Sequence, residues 1–190
     1  VTDANGCTET ETYTIIQPAA ALSISLSTFE NISCNGLTDG SINVVVTGGT
    51  IGSGYTYAWT VTGGGTDISA STAANQTGLA TGTYSVIATD QNGCTIPKSF
   101  TITQPDELTI ADVTVSTAIA CFGENQTIKV GVTQSSTPPY IYSISGSASE
   151  TSAATTDLTY EFNVPVGTYT VKVTDANGCY KEFVTTLTQP

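Results

Sequence analysis

Hydrophobic and polar residues alternate with a period of two over short stretches of the chain. Ile42, Val44 and Val46 occupy alternate positions, and the same alternation occurs over 55–59 and 82–86. In residues rich in Thr, Val, Ile and Tyr, this period is typical of strands with one buried face. No segment combines a helical period with capping residues. The pattern therefore predicts an all-β protein.

The strand pattern recurs because the sequence contains a tandem repeat. The heptapeptide 1–7 returns unchanged at 173–179, and a close copy lies at 88–94. The cysteines that end these copies are 87 and 85 residues apart, a regularity typical of tandem duplication. Each copy leads into a segment that ends in Gln-Pro, at 17–18, 104–105 and 189–190.

Each repeat predicts an immunoglobulin-like antiparallel β-sandwich, since about seven short strands are separated by turn signals. Gly-x-Tyr at Tyr84 and Tyr169 is similar to a tyrosine corner, whose hydroxyl bonds to nearby backbone. Pro18 and Pro105 mark the repeat boundaries, because proline cannot continue a strand ladder. The predicted units are the last strand of an upstream repeat (1–18), one sandwich (19–105) and a second sandwich (106–190).

Composition excludes several classes of function. The chain has no histidine or arginine, four lysines and sixteen acidic residues, which give a formal charge of -12. This charge repels nucleic acid and anionic lipid, and no apolar run approaches the roughly 20 residues of a membrane span. Without histidine, His-based acid–base catalysis is excluded, and scattered acids at turns are typical of solvated surface. We expect no enzyme, no nucleic-acid partner and no membrane insertion.

Several spaced motifs together resemble the SprB repeat. They are Cys-Asn-Gly-x-x-Asp-Gly-Ser-Ile at 34–42, Tyr-x-Tyr-x-Trp at 55–59, Gly-Thr-Tyr at 82–84 and Thr-Asp-x-Asn-Gly-Cys at 89–94. The resemblance implies a very large surface adhesin of gliding Bacteroidetes, exported by the type IX secretion system and displayed as an extracellular filament. The second copy departs from the pattern, with Cys-Phe-Gly-Glu-Asn at 121–125 and Ile144 in place of tryptophan.

These features predict a stalk rather than a catalyst. The chain begins inside a motif and has no signal peptide, which indicates a segment of a longer exported protein. Its expected partners are the neighbouring repeats, with surface polysaccharide or a substratum as the target of adhesion. The alternative function is a carbohydrate-dependent or Ca²⁺-dependent binding module.

The cysteines predict disulfides in an oxidising compartment. We favour Cys34–Cys94 and Cys121–Cys179, which keep each bond within one repeat and leave Cys7 unpaired. In a plain immunoglobulin order, however, the loops of Cys34 and Cys94 lie at opposite ends, on the order of 20 Å apart. A disulfide needs Cα atoms within about 7 Å. The alternative is a bond between repeats, from Cys34 to Cys179.

Acidic residues provide a candidate Ca²⁺ site at the junction between the sandwiches. In an immunoglobulin-like topology the loop of Asp39 faces Asp106, Glu107 and the last hairpin at Asp175. Carboxylate oxygens are the ligands that Ca²⁺ prefers. The Asp-x-Asn-Gly sequences themselves are better explained as hairpin turns, in which Asn-Gly supplies the two positive φ angles of a type I′ turn.

Aromatic residues on one strand provide a candidate carbohydrate-stacking site. Alternation places Tyr55, Tyr57 and Trp59 on one face of this strand, and Trp59 with Tyr57 would form the stacking surface. A core tryptophan is the commoner role in a sandwich, and we favour it.

Overall fold

A computed structural model describes residues 1–115, 123–133 and 137–188 of the chain. All regular elements in these residues are β-strands, and the strands of each sheet are antiparallel, which confirms the all-β prediction. Within the same residues no helix is long and apolar enough to cross a membrane. The strands are β1 (Ser23–Glu30), β2 (Gly40–Thr47), β3 (Thr56–Thr62), β4 (Asn75–Leu79), β5 (Gly82–Thr89), β6 (Thr95–Ile102), β7 (Ile110–Val115), β8 (Gln126–Val132), β9 (Ile141–Gly146), β10 (Glu150–Thr151), β11 (Thr159–Val164), β12 (Gly167–Thr174) and β13 (Tyr180–Leu187).

The first half of the chain forms two three-stranded sheets, in the orders β1-β2-β4 and β3-β5-β6. Alternate residues of both sheets enter one core, as the period of two predicts. Ile42 and Leu79 enter it from one sheet and Trp59 and Ile102 from the other, and all four are almost completely buried. Two sheets that share one core are consistent with a β-sandwich.

The second half repeats this arrangement. Its sheets have the orders β7-β8-β11 and β10-β9-β12-β13, so among the described residues the short strand β10 is the one addition to the first pattern. A second core runs from Leu108 to Leu187. The two cores lie within the predicted units 19–105 and 106–190. These boundaries and the specifically immunoglobulin-like character stay predictions.

The two tyrosine corners form as expected. The hydroxyl of Tyr84 donates a 2.8 Å hydrogen bond to the carbonyl of Ala80, and Tyr169 donates an equal bond to Pro165. Both rings are buried. Each hydroxyl therefore anchors the start of its strand while its ring fills the core.

The hairpins at the Asp-x-Asn-Gly sequences differ from the predicted type I′ turn. In the turn after β5 only Gly93 has a positive φ, of 83°, whereas Asn92 does not. The backbone N–H of Asp90 donates to the carbonyl of Cys94 at 3.0 Å, which closes a three-residue loop. A type I turn followed by a left-handed glycine is the common three-residue form. The Asp side chain stabilises this form by accepting hydrogen bonds from the loop.

Residues 1–18 contain another copy of the hairpin. Thr2 and Thr8 form an isolated antiparallel bridge around it. Tyr13 and Ile15 lie beyond the hairpin and are 77% and 96% exposed, whereas the residues 87 positions later, Phe100 and Ile102, are buried in the first core. The assignment of 1–18 to the last strand of an upstream repeat stays a prediction.

Candidate functional site at the junction between the repeats

A disulfide crosses from the first sandwich to the second. It joins Cys34 to Cys179, which are 145 residues apart in sequence and whose Cα atoms are 5.6 Å apart. The favoured pairs, Cys34–Cys94 and Cys121–Cys179, are therefore wrong, because Cys34 and Cys179 bind each other. Cys7 and Cys94 are exposed thiols, and Cys121 lies outside the described residues.

Strand β2 explains why Cys34 does not reach Cys94. Cys34 precedes this strand, whereas Cys94 lies near its far end, where the N–H of Thr50 donates to the Asp90 carboxylate at 2.8 Å. An eight-residue strand spans about 25 Å, several times the Cα separation of a disulfide. The two cysteines of one repeat thus lie at opposite ends of the sandwich, and Cys34 faces the second repeat.

The loop that carries Cys34 is held by the end of its own repeat. The N–H of Gly36 donates to the Gln104 side-chain oxygen at 2.9 Å, and the Asn35 amide donates to the Pro105 carbonyl at 3.0 Å. The N–H of Leu37 closes a turn on the Cys34 carbonyl at 3.1 Å. The Gln-Pro sequence therefore positions the disulfide loop as well as ending the last strand.

Asp39 fixes the other side of this loop. Its carboxylate accepts hydrogen bonds from the Ser33 hydroxyl and, at 3.1 Å, from the Ser33 N–H. These bonds, the hydroxyl first, hold the pKa of Asp39 below its ordinary value. The Ser33 carbonyl is thereby directed towards the second sandwich, where it accepts a 3.2 Å hydrogen bond from the Asn177 amide.

The hairpin after β12 presents Cys179. One carboxylate oxygen of Asp175 accepts hydrogen bonds from the N–H groups of Asn177, at 2.9 Å, and Cys179, at 3.0 Å. The loop needs a left-handed residue at Gly178, whose φ is 83°. Asp175 is buried, so these hydrogen bonds replace the water that its carboxylate loses on folding.

An ion pair lies beside the disulfide. The Lys181 ammonium is 2.6 Å from a carboxylate oxygen of Glu107, and both side chains are about half exposed. Exposed pairs of this kind contribute little to stability because water and salt screen them. The disulfide and the Asn177 bond are therefore the main specific links described at this junction.

The predicted Ca²⁺ ligands are not brought together. Asp39 binds Ser33, Glu107 pairs with Lys181, and Asp175 binds its own hairpin. Asp106 lines a cleft beside the disulfide. Among the described residues, no three acidic or cysteine side chains are grouped so that they could hold a metal ion. Asp39, Glu107 and Asp175 thus each have a protein partner of their own in place of a shared cation.

The predicted stacking site is part of the core. Trp59 is 1% exposed, and its indole N–H donates a 2.9 Å hydrogen bond to the Ala73 carbonyl. Tyr57 is half-buried and packs against the same core. A sugar ring cannot stack on a tryptophan that lies between two sheets, so Trp59 is wrong as a carbohydrate-binding residue and correct as a core residue.

Sequence reasoning missed three residues of the junction. Asn177, Ser33 and Gln104 make hydrogen bonds that orient the two cysteines. A signal for two of them was present, because an asparagine two residues before the cysteine and a glutamine before the proline recur in every copy. Both had been explained by turn and strand-end preferences alone.

Comparison with known families supports the motif analysis. Residues 26–64 match the SprB repeat. The match includes the Cys34 loop and strands β2 and β3, and it confirms the resemblance seen in the sequence. No curated protein matches the chain. The SprB repeat is a structural rather than an enzymatic repeat, and proteins that carry it are found at the cell surface.

Proposed function

We propose that this chain is a structural segment of a secreted, adhesive cell-surface filament, in which successive SprB-type repeats are joined by disulfides. The observation that carries the proposal is the Cys34–Cys179 bond across the repeat junction. A linker alone would let the two sandwiches separate under tension. A covalent bond near the junction keeps their ends together.

The position of the bond determines which strands bear force. Pulling on the two ends of the chain sends tension through the disulfide, so the 144 residues between the two cysteines are bypassed. Of the strands in the sandwiches, β1 precedes Cys34 and β13 follows Cys179, whereas the others lie between them. Most of both cores is therefore protected from extension, as a filament that transmits force requires.

Other properties of the chain support extracellular display. A disulfide persists in an oxidising compartment, and the charge of -12 favours solubility. The SprB resemblance extends the proposal to surface attachment and gliding. Because Trp59 is buried, and because Asp39, Asp175 and Glu107 are engaged in hydrogen bonds or an ion pair, we prefer a structural role to a carbohydrate-binding or Ca²⁺-binding module.

Single-molecule force spectroscopy on the full chain tests the structural role. We expect the Cys34→Ser variant to extend about 500 Å further than the oxidised wild type, because it releases the segment between the two cysteines, whose sequence separation is 145, at roughly 3.5 Å per residue. Cys94→Ser is the matched control and should extend like the wild type. Equal extension of Cys34→Ser and wild type would remove the basis for the proposal. Immunolabelling of intact producing cells checks surface display separately.

A further inference from the structure

We infer that the end of the first sandwich that carries Cys94 is a docking surface for another copy of the repeat. The loop of that copy that corresponds to the loop of Cys34 (the Cys34-type loop) would provide the cysteine that forms a disulfide with Cys94. The inference rests on the proposed filament function and names the partner of a surface that the described contacts leave open. Cys94 is exposed and is a thiol in the structure.

The hairpin of Cys94 has the geometry of the hairpin that already forms a disulfide. One oxygen of Asp90 accepts hydrogen bonds from the N–H groups of Asn92, at 3.0 Å, and Cys94, at 2.8 Å. The corresponding distances in the junction hairpin are 2.9 and 3.0 Å. The loop glycines have the same φ, 83°. The hairpin of Cys94 therefore has the same backbone conformation as the hairpin that presents the sulfur of Cys179 to its disulfide partner.

The asparagine of the hairpin has a second donor for a partner. The Asn92 amide donates to the Thr50 hydroxyl at 3.0 Å, and Asn177 makes the matching 3.4 Å bond to Thr137. Asn177 additionally donates to the Ser33 carbonyl of the preceding repeat. The side-chain NH2 group has two hydrogens, so Asn92 can donate the second one to the carbonyl of an incoming loop while it keeps its bond to Thr50.

The platform that would support the incoming loop is also present. Gln104 and Pro105 hold the Cys34 loop at the existing junction. Their counterparts, Gln17 and Pro18, line a cleft together with Cys94. The cleft at the existing junction contains the corresponding linker and is lined in addition by Cys34, Asn35 and Leu37 of the preceding repeat. The two clefts thus differ in whether a Cys34-type loop is present.

One feature of the existing junction has no counterpart. In the second repeat Lys181 pairs with Val173 of the neighbouring strand. The corresponding pair in the first repeat is Ile96 with Ala88, so an isoleucine stands where the ion pair has its lysine. Alanine residues at 19–21 replace its acidic partner. Because an exposed ion pair contributes little, the second interface does not depend on it.

The covalent step is a thiol–disulfide exchange. Two cysteine thiols lose two protons and two electrons as the S–S bond forms between Cys94 and the partner cysteine. A low-molecular-weight disulfide such as oxidised glutathione accepts them, and its own S–S bond breaks to give two thiols. A mixed disulfide between glutathione and one cysteine is the intermediate that the second thiolate attacks.

A chain lengthened by one added repeat (the extended chain) tests the inference. A second copy of residues 19–87 is fused in front of Val1, so that residues 1–18 complete the added repeat and its Cys34 precedes the first sandwich. The protein is refolded with oxidised and reduced glutathione, alkylated and mapped without reduction. We expect Cys94 to lose its alkylation and to appear linked to a Cys34-bearing peptide. Cys179 should remain linked, and Cys7 should stay alkylated, because no repeat precedes the added one.

The matched control replaces the cysteine of the added copy by serine (Cys34→Ser in that copy alone), which should restore alkylation of Cys94. Loss of alkylation in both proteins, or a bond from the added Cys34 to Cys7, would overturn the inference. Fluorescence from the two copies of Trp59 reports whether the added repeat has folded. If Cys94 stays a thiol in a folded extended chain while Cys34→Ser still lengthens the original chain under force, the inference fails and the proposed function stands.

Discussion

The two sandwiches build equivalent cores from different residues. In the first, Trp59 of β3 lies opposite Val86 of β5, and in the second Ile144 lies opposite Val171 at the same place in the ladder. All four are buried. A large aromatic side chain is thus replaced by a smaller aliphatic one at a position where a cavity would be costly.

The facing sheet contains the opposite exchange. Gln76 of β4 pairs with Ile42, whereas Phe162 of β11 occupies the matching register beside Ile128. In the first core Gln76 and Trp59 donate to the same acceptor, the Ala73 carbonyl, at 2.8 and 2.9 Å. The repeats therefore conserve the filling of the space between the sheets rather than the residue at one position.

In the second core, packing between aromatic rings compensates for the absence of a tryptophan. The ring of Phe162 meets Tyr160 edge-on with centroids 4.9 Å apart, and Tyr160 stacks on Tyr142 at 5.6 Å. Burial raises the pKa of Tyr142 to about 12, so its hydroxyl stays protonated and donates to the Asp157 carbonyl at 2.8 Å. One core is thus centred on a hydrogen-bonded indole and the other on a row of rings.

The largest effects on stability are expected when the central residue of each core is truncated. We expect Trp59→Ala to lower the free energy of unfolding of the first sandwich by about 3–5 kcal/mol, and Ile144→Ala to lower that of the second by about 2–5 kcal/mol. The cost at Trp59 should be the larger, because the indole hydrogen bond is lost as well. Hydrogen–deuterium exchange in urea, read on peptides of β2 and β8, measures each sandwich separately. A larger cost for Ile144→Ala would contradict this interpretation.

The tyrosine corners distinguish the sandwiches less strongly. The Tyr84 hydroxyl donates to Ala80 and also accepts the N–H of Thr66 at 2.9 Å. We expect Tyr84→Phe to cost about 1–3 kcal/mol, because it leaves a backbone donor without its acceptor, and Tyr169→Phe to cost about 1 kcal/mol. Urea denaturation followed by the same peptide-resolved exchange gives both values. Equal costs would show that the Thr66 bond adds nothing.

A double substitution tests the comparison by placing the residues of the second core at two matching positions of the first. Trp59→Ile leaves space in the first core, and Gln76→Phe overfills it while Trp59 is present. We expect the double variant to be more stable than the sum of the single effects predicts, by about 0.5–3 kcal/mol. A thermodynamic cycle of the four proteins measures this coupling. Additive effects would mean that the two positions do not share one space.

The features that could be predicted from the sequence depend on residues that lie close together along the chain. The period of two revealed the strands, and Gly-x-Tyr indicated both tyrosine hydroxyl bonds, because each signal depends only on local spacing. In an immunoglobulin order Cys34 and Cys94 lie at opposite ends, which is compatible with a bond between repeats. Pairing within one repeat was wrong because the eight residues of β2 hold its two cysteines too far apart for a disulfide.

Other features depend on contacts between distant segments. The compensation of Ile144 by Phe162 follows from the register of two ladders, which the alternation of residues does not determine. The hydrogen bond from Asn177 to Ser33 joins residues 144 positions apart. The expected position of Asp39 at the junction made it a candidate cation ligand, yet its oxygens accept hydrogen bonds from Ser33. Such partners become visible only when the chain is folded.

The Cys34–Cys179 bond also affects how the chain responds to proteases outside the cell. The segment between β3 and β4 contains several exposed residues, including Gly63, Gly64 and Asp67, and segments of this kind are preferred cleavage sites. A single cut there, or anywhere between the two cysteines, produces two fragments that the disulfide still holds together. Severing the segment requires a cut outside the loop or reduction of the bond. A chain cut once within the loop therefore stays in one covalent piece.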